Sequence, residues 1–401
     1  MTASKVKKMV KVFPKSGQKG FTLAEVMVAM ALFMVVIALV GKSFNSALHT
    51  STVIAKSEES NIDGVLGLEM LRHDIVQAGY GLYTLADTAP SFSEAAAGTL
   101  AADYNDTAGK AVPRGVVGDN DLDKGDNSII LSGTDYLAIK GTSLGTESAA
   151  QKWSYMNYTT PAKIWTKGED KLSDGVDKVI TLRQVYSTGN LDRKLVFDTS
   201  TPTSWALTYR DDGKYASTYH PTANGQVYYY YGLGSSTPRA PFNRVDYLVK
   251  RVPQEMSKSC APGAGTLYKT VLNQSDGSMT QIPLLDCVAD MQVVLGWNAT
   301  GASGSNVVDT WSNANGTTTS PGNPLSPSDP AFVRSSLKVV KVFILAQDGV
   351  YDRSFNNPST PLLIGDDTSL GSLSRYIDLS GPNYQHYRWK LYRFTARPTS
   401  L

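Results

Sequence analysis

The first apolar stretch of the chain runs from Phe21 to Val40 and is broken by one carboxylate, Glu25, near its start. About 20 apolar residues are enough to cross a bilayer as a helix. Beyond it the pattern changes without stopping. Ile62, Val65, Leu68, Leu71 and Ile75 recur at steps of three or four, which puts them on one stripe of a helix. Lys56, Glu58, Glu59, Asp63, Glu69 and Arg72 mostly decorate the other sides. Gly79, after Gln77-Ala78, supplies a C-terminal stop. One long helix over 21–79 is predicted, with 21–40 as its membrane or filament-core part. From Phe21 to Ala78 it would span roughly 85 Å at the helical rise. Gly41, Gly64 and Gly67 are points where such a helix could bend or melt.

After Gly79 the helical period fades and glycine, threonine, tyrosine and asparagine rise. Strand-like runs occur at Ser128–Ile139, Lys178–Val185, Leu195–Asp198, Gln226–Tyr231, Arg244–Val252, Thr266–Leu272, Met291–Leu295 and Val339–Leu345, with a last one near Tyr387–Thr395. Trp297 to Pro330, rich in Gly, Ser, Asn, Thr and Pro, reads as a long exposed loop. Ala86 to Asn127 reads similarly, with a short helix at Phe92–Ala97. No internal repeat is visible. The expected fold class is α+β: a long N-terminal helix packed on a large, mainly antiparallel β head over 80–401, divided into two sub-sheets.

Charge changes this picture at the N-terminus. Six lysines and no acid precede Gly20. Such a leader keeps the N-terminus cytoplasmic by the positive-inside rule, with one span and the head in the periplasm. No small-residue cleavage site follows Val40, where Gly41, Lys42, Ser43 and Phe44 stand. Removing the leader takes six of the 38 basic residues and none of the 36 acidic ones, so 32 cations face 36 anions, a balance of −4. The chain carries no concentrated basic stripe after the leader, and no nucleic-acid partner is expected. In an oxidising periplasm the two cysteines, Cys260 and Cys287, would form a disulfide worth roughly 3–4 kcal/mol in the chain-entropy model; the alternative is two free buried thiols.

Few motifs carry chemistry. Gly141-Thr142-Ser143-Leu144-Gly145 matches a nucleophile elbow, but only His220 and His386 lie downstream and the alternating β/α pattern is missing, so no enzyme activity and no cofactor are expected. Asp119, Asp121 and Asp123 alternate as calcium ligands could, yet the glycine of an EF-hand comes one place late and no glutamate closes the loop. A solvated acidic turn is the default there, and no other metal site is expected. Tyr228-Tyr229-Tyr230-Tyr231 suits a half-buried strand with two rings on each face; an exposed aromatic patch for a partner or a glycan is the alternative. The four histidines (His49, His73, His220, His386) form no metal spacing.

Gly20, Phe21, Thr22, Leu23 and Glu25 resemble the class III leader of type IV prepilins and type II secretion pseudopilins. The resemblance implies cleavage after Gly20 by a prepilin peptidase and N-methylation of Phe21, with residues 1–20 as the removed leader. It also implies a role for Glu25 in filament assembly. The new amine on Phe21 can pair with this carboxylate, on its own or a neighbouring subunit, which sets helix register and leaves neither charge alone in a low dielectric.

Further segments resemble the PilW family of minor pilins, related to the J-type pseudopilin. Leu71-Arg72-His73-Asp74-Ile75 leads into Ala78-Gly79-Tyr80, followed by Asp126-Asn127-Ser128 and Gly133-Thr134-Asp135-Tyr136-Leu137. Val245-Asp246-Tyr247-Leu248-Val249, Leu267-Tyr268-Lys269, Leu284-Leu285-Asp286-Cys287-Val288 with Met291-Gln292-Val293, Val339-Val340-Lys341-Val342 and Tyr387-Arg388 come later. The chain departs from the family at Ala396-Arg397-Pro398-Thr399, where an Arg-Asn ending is common. What the resemblance implies is a minor pilin in the inner membrane that helps to start type IV pilus assembly and then sits in the tip complex at the cell surface. Its partners would be other minor pilins, the major pilin, the inner-membrane assembly machinery and a tip adhesin, serving adhesion and twitching motility. A J-type pseudopilin and a membrane-anchored periplasmic binding protein are the alternatives.

Overall fold

The computed structural model describes residues 20–401 except 107–111, 124–128, 160–161, 166, 188–189, 235, 255, 302–306, 319–324 and 366–372; the side chains of 45–50, 52–63 and 187–190 also lie outside the description. Residues 1–19 of the predicted leader over 1–20 fall outside it too. Contacts group the chain into two units, Met1–Ala55 and Lys56–Leu401. One helix, α1 (Leu23–Val76), begins in the first and ends in the second.

In the first unit, Leu23–Phe44 is a 22-residue apolar helix with exposed side chains throughout. At 1.5 Å per residue it spans about 33 Å, enough for a hydrocarbon core of about 30 Å.

The second unit is built on two larger sheets. The first has eight strands, seven of them in the order β1 (Val116–Leu122), β2 (Thr134–Gly141), β8 (Asn243–Lys250), β9 (Gly265–Leu272), β10 (Met279–Trp297), β12 (Leu337–Asp348) and β15 (Arg388–Ala396); β11 (Thr310–Asn313) pairs with β10. The second has the order β3 (Trp153–Asn157), β7 (Val227–Gly234), β4 (Lys178–Ser187) and β5 (Asn190–Val196), with β6 (Ala206–Thr208) also on β4. A small pair, β13 (Leu362–Ile364) and β14 (Arg375–Ile377), and a short helix, α2 (Pro330–Ser336), complete it. Every named strand pair is antiparallel, so the molecule is α+β, a long N-terminal helix followed by a large antiparallel head. The second sheet is an insertion into the first. The chain leaves at Gly141 and returns at Asn243, and these two residues are paired across β2 and β8.

The end of α1 packs on the larger sheet. Leu68, Leu71, Ile75 and Ala78 are buried against Leu137 and Ile139 of β2, Val245, Tyr247 and Val249 of β8, and alternate residues of β9, β10 and β12. The intervening residues Tyr136, Ala138 and Leu248 face the opposite side and meet Tyr104. Both faces of β2 and β8 are therefore covered, and all eight residues of each strand are buried. Burying Leu68, Leu71 and Ile75 contributes on the order of 5–9 kcal/mol before entropy is counted. Packing, not helix propensity, holds this end of the helix.

Several expectations need correction. Val65, placed on the buried stripe, is 61% exposed. Its place is taken by Gly64 and Gly67, which are the points of close approach to the sheet and not hinges. A Cβ on Gly67 would stand 2.7 Å from the Leu284 carbonyl oxygen, and one on Gly64 would stand 3.2 Å from Leu285 Cδ1. Phe92–Ala97 is not a helix; a 3₁₀ turn follows at Leu100–Tyr104. The predicted loop over 86–127 contains β1, and that over 297–330 contains β11. The run at Leu195–Asp198 belongs to a strand that starts at Asn190 and stops at Val196, and Met291–Leu295 is the end of the 19-residue β10. β3 was not foreseen.

Buried charges pin the head together. Lys140 on β2 reaches Glu94 at 2.8 Å and Asp106 at 2.7 Å. Arg244 on β8 pairs with Glu94 at 3.0 Å and grips Asp246 with two nitrogens, at 2.7 and 2.8 Å. Arg114 closes the group on Asp106 at 2.6 Å. Three cations thus balance three carboxylates. Burial opposes ionisation of Asp106, but Lys140 and Arg114 outweigh it and hold its carboxyl below the usual range. A fourth buried acid, Asp74 on α1, takes Lys269 Nζ and the Tyr247 hydroxyl, each at 2.5 Å.

Candidate functional site

Gly20, Phe21 and Thr22 precede the helix and are exposed, Phe21 to 86%. The Gly20–Phe21 peptide bond therefore lies in non-helical backbone, where a peptidase can hold it extended. Thr22 is the N-cap of α1, and Glu25 is its third helical residue. Thr22 donates its backbone N–H and its hydroxyl to Glu25 Oε2, each at 2.9 Å. The Glu25 N–H donates back to Thr22 Oγ1 at 3.3 Å. This reciprocal arrangement is a capping box, and it satisfies two amide donors that the first turn would leave open. Sequence reading assigned Glu25 to pairing with the Phe21 amine and missed Thr22. The signal was present as Thr-x-x-Glu directly before an apolar run. In the uncleaved chain the carboxylate serves its own helix start.

In the head, Cys260 and Cys287 are joined by a disulfide with Cα atoms 5.0 Å apart. The bond ties the connection between β8 and β9 to β10, at a point where the register of β10 against β9 shifts. Cys287 itself has φ +56° there.

The first half of the acidic run, Asp119–Leu122, is the end of a strand rather than a turn. Asp119 and Asp121 lie in β1, anchored by buried Leu122. Asp119 accepts from the Tyr104 hydroxyl at 3.0 Å. The Asp121 N–H donates to Asp135 at 3.0 Å, and its carboxylate faces the Arg375 guanidinium at 3.5 Å. Asp123 directly follows β1, and Lys124, Gly125 and Asp126 lie outside the described residues. Among the described residues no three His, Cys, Asp or Glu side chains are grouped to hold a metal ion. Arg375 supplies the positive charge here. It also stands 3.6 Å from Asp290, which accepts from Gln292 Nε2 at 2.9 Å. Burial pushes the Asp290 carboxyl up to about 6, against the pull of Arg375 and Gln292.

Gly141-Thr142-Ser143-Leu144-Gly145 does not form an elbow. β2 runs into a single 3₁₀ turn at Thr142–Leu144, and Ser143 Oγ lies 3.4 Å from Gln77 Oε1. His220 Nδ1 is at the Pro221 carbonyl and His386 Nδ1 at the Phe355 carbonyl. His73 is an exposed residue of α1, and the side chain of His49 lies outside the description. The four tyrosines form β7, with Tyr228 and Tyr230 buried on one face and Tyr229 and Tyr231 half-buried on the other.

No curated protein and no solved structure matches the chain. Residues 15–41 match the prokaryotic N-terminal methylation motif. The match spans the Gly20–Phe21 bond, the capping box and most of the apolar helix, a combination that fits membrane anchoring. The chain thus carries a prepilin-type methylation motif on an apolar N-terminal helix, which supports a type IV pilin-like protein processed by a prepilin peptidase.

Proposed function

We propose that the protein is a minor pilin of the PilW type, which takes part in starting type IV pilus assembly and then in the tip complex. The observation that carries this reading is the N-terminal segment: a Gly20–Phe21 bond outside the helix and a 22-residue membrane-length helical span, Leu23–Phe44, with a carboxylate held at its start. A charge at the centre of a membrane helix costs about 2.5–3.5 kcal/mol, and less near an end. The Thr22 cap offsets part of that cost before cleavage. The free amine of Phe21 offers a second, stronger partner afterwards, on the same chain or the next subunit.

In this reading the leader stays cytoplasmic, the helix waits in the inner membrane, and the head folds in the periplasm, where the Cys260–Cys287 bond is stable. The protein acts by assembly rather than catalysis. Its partners are other minor pilins, the major pilin, the assembly machinery and a tip adhesin. A head of this size suits a capping place better than a place in the shaft.

The test is intact-mass spectrometry of the protein purified from its native host, beside a Glu25→Ala version. The expected mass starts at N-methylated Phe21 in both, with filaments lost in Glu25→Ala. Retention of residues 1–20, or cleavage after Val40, would overturn the proposal.

A further inference from the structure

One face of the second sheet carries an aromatic cluster that the assembly reading does not use. Trp153 and Tyr155 of β3 sit opposite Tyr231 and Tyr229 of β7 on the same face. The segment after β3 folds back along its edge. The Lys163 N–H donates to the Tyr155 carbonyl at 2.8 Å, Ser154 Oγ donates to the Lys163 carbonyl at 2.7 Å, and Trp165 Nε1 donates to the Trp153 carbonyl at 2.6 Å. These bonds bring Trp165 beside Trp153, with ring centroids 5.0 Å apart; Tyr155 and Tyr229 lie 6.2 and 6.4 Å from Trp153. All four rings are half-buried. They are fixed by backbone bonds and by one another, yet each keeps part of its surface in water.

The stretch that carries the rings is basic. From Lys152 to Lys167 there are three lysines and no acid, and Glu169 and Asp170 follow beyond it. Lys163 and Lys167 are exposed, and Lys163 Nζ stands 5.8 Å from the Trp165 ring. Apart from the leader, the chain is net acidic, and Lys163 is the cation set directly at the rings.

We propose that this cluster binds an acidic polysaccharide, with the aromatic rings lying against sugar rings and the lysines pairing with uronate carboxylates. The C–H bonds of a sugar carry slight positive charge and are drawn to the negative face of an aromatic ring. Charge complementarity then selects an acidic sugar over a neutral one. A nucleic acid fits less well. Its affinity rises with the number of phosphates neutralised, and three lysines neutralise few. Trp165 meets both Trp153 and Tyr155 at 62°, so it forms no parallel slot with either ring for a base. An added peptide strand is disfavoured because Lys163 already occupies the Tyr155 carbonyl at the edge of β3.

The experiment titrates the full-length chain in neutral detergent with hexagalacturonate and hexamannuronate, followed by tryptophan fluorescence and calorimetry. A methyl-esterified hexagalacturonate and a short oligothymidylate serve as comparisons. Saturable, salt-sensitive binding of at least one acidic hexasaccharide is expected, weakened about tenfold by Trp165→Ala and by Lys163→Glu. The ester binds more weakly. Lys163→Glu alters an exposed side chain, so its melting temperature and its filaments stay as in the parent. The proposal is overturned if neither hexasaccharide binds saturably, if Lys163→Glu binds the acid as well as the parent does, or if oligothymidylate binds more tightly than both.

Discussion

Thr22 and Glu25 show how two small residues set the start of a long helix. Each supplies what the other's backbone lacks, and the pattern was readable as Thr-x-x-Glu once the apolar run had been placed. Buried charges were not readable in this way. Lys140 and Arg244 lie in strands whose alternation reads as polar-outward, and their partner Glu94 is 46 and 150 positions away. Nor does the segment around Asp74 reveal that its carboxylate is held by Lys269 and by Tyr247, the latter 173 positions away. Asp290 gives a prediction at this scale. Its carboxyl titrates near 6 in the fold and near the ordinary value of about 4 when unfolded. The folded state therefore binds more protons between these values, and stability falls as pH rises through that window. Asp290→Asn is expected to be more stable than the parent at pH 7.5, by up to about 3 kcal/mol, and to lose that advantage at pH 4. Urea unfolding of both proteins at the two pH values measures it; an equal difference at both would disprove the titration.

Among the elements, the long helix was legible because its apolar run and stripe extend over many turns. Its contact was misread at Val65, since a stripe drawn from apolar residues overlooks glycines that allow backbones to approach. Gly67→Ala places a methyl group 2.7 Å from the Leu284 carbonyl, so helix and sheet must separate. A loss of about 1–3 kcal/mol in head stability is expected. Gly41→Ala meets nothing within 4 Å and should leave the melting transition where it was. Thermal unfolding of the two variants side by side decides the matter. Two of the missed strands share one cause. β1, with the sequence Val-Val-Gly-Asp-Asn-Asp-Leu, offers only three apolar residues and takes its place through pairing with β2. β11 is four residues long and exists only because β10 extends far enough to receive it. Neither signal is local.

For the whole molecule, the two sub-sheets expected from texture are present, but their nesting could not be read from strand-like runs. It depends on Gly141 meeting Asn243 across a hundred residues of intervening chain. The Cys260–Cys287 bond acts at this scale, closing a separation of 27 residues. Replacing both cysteines by serine is expected to lower head stability by about 3–4 kcal/mol, read by denaturant unfolding of the full chain under oxidising conditions. An unchanged midpoint would mean that the surrounding sheet already confines this loop. The end of α1 has a different closure. The N–H and hydroxyl of Thr399 both approach the Val76 carbonyl at 3.1 Å, and a Cβ on Gly79 would stand only 2.6 Å from Leu401 Cδ2. Thr399 is 323 positions from Val76. At about 5–20 residues per second, on the order of 15–65 s of synthesis separates the two. The helix itself forms within about a microsecond. A chain interrupted before β15 thus keeps an open helix end and a β12 paired only with β10, its outer edge bare, which marks it as unfinished to any protease that samples exposed strand edges. The distance along the chain works as a clock, and the head is complete only when that clock has run out.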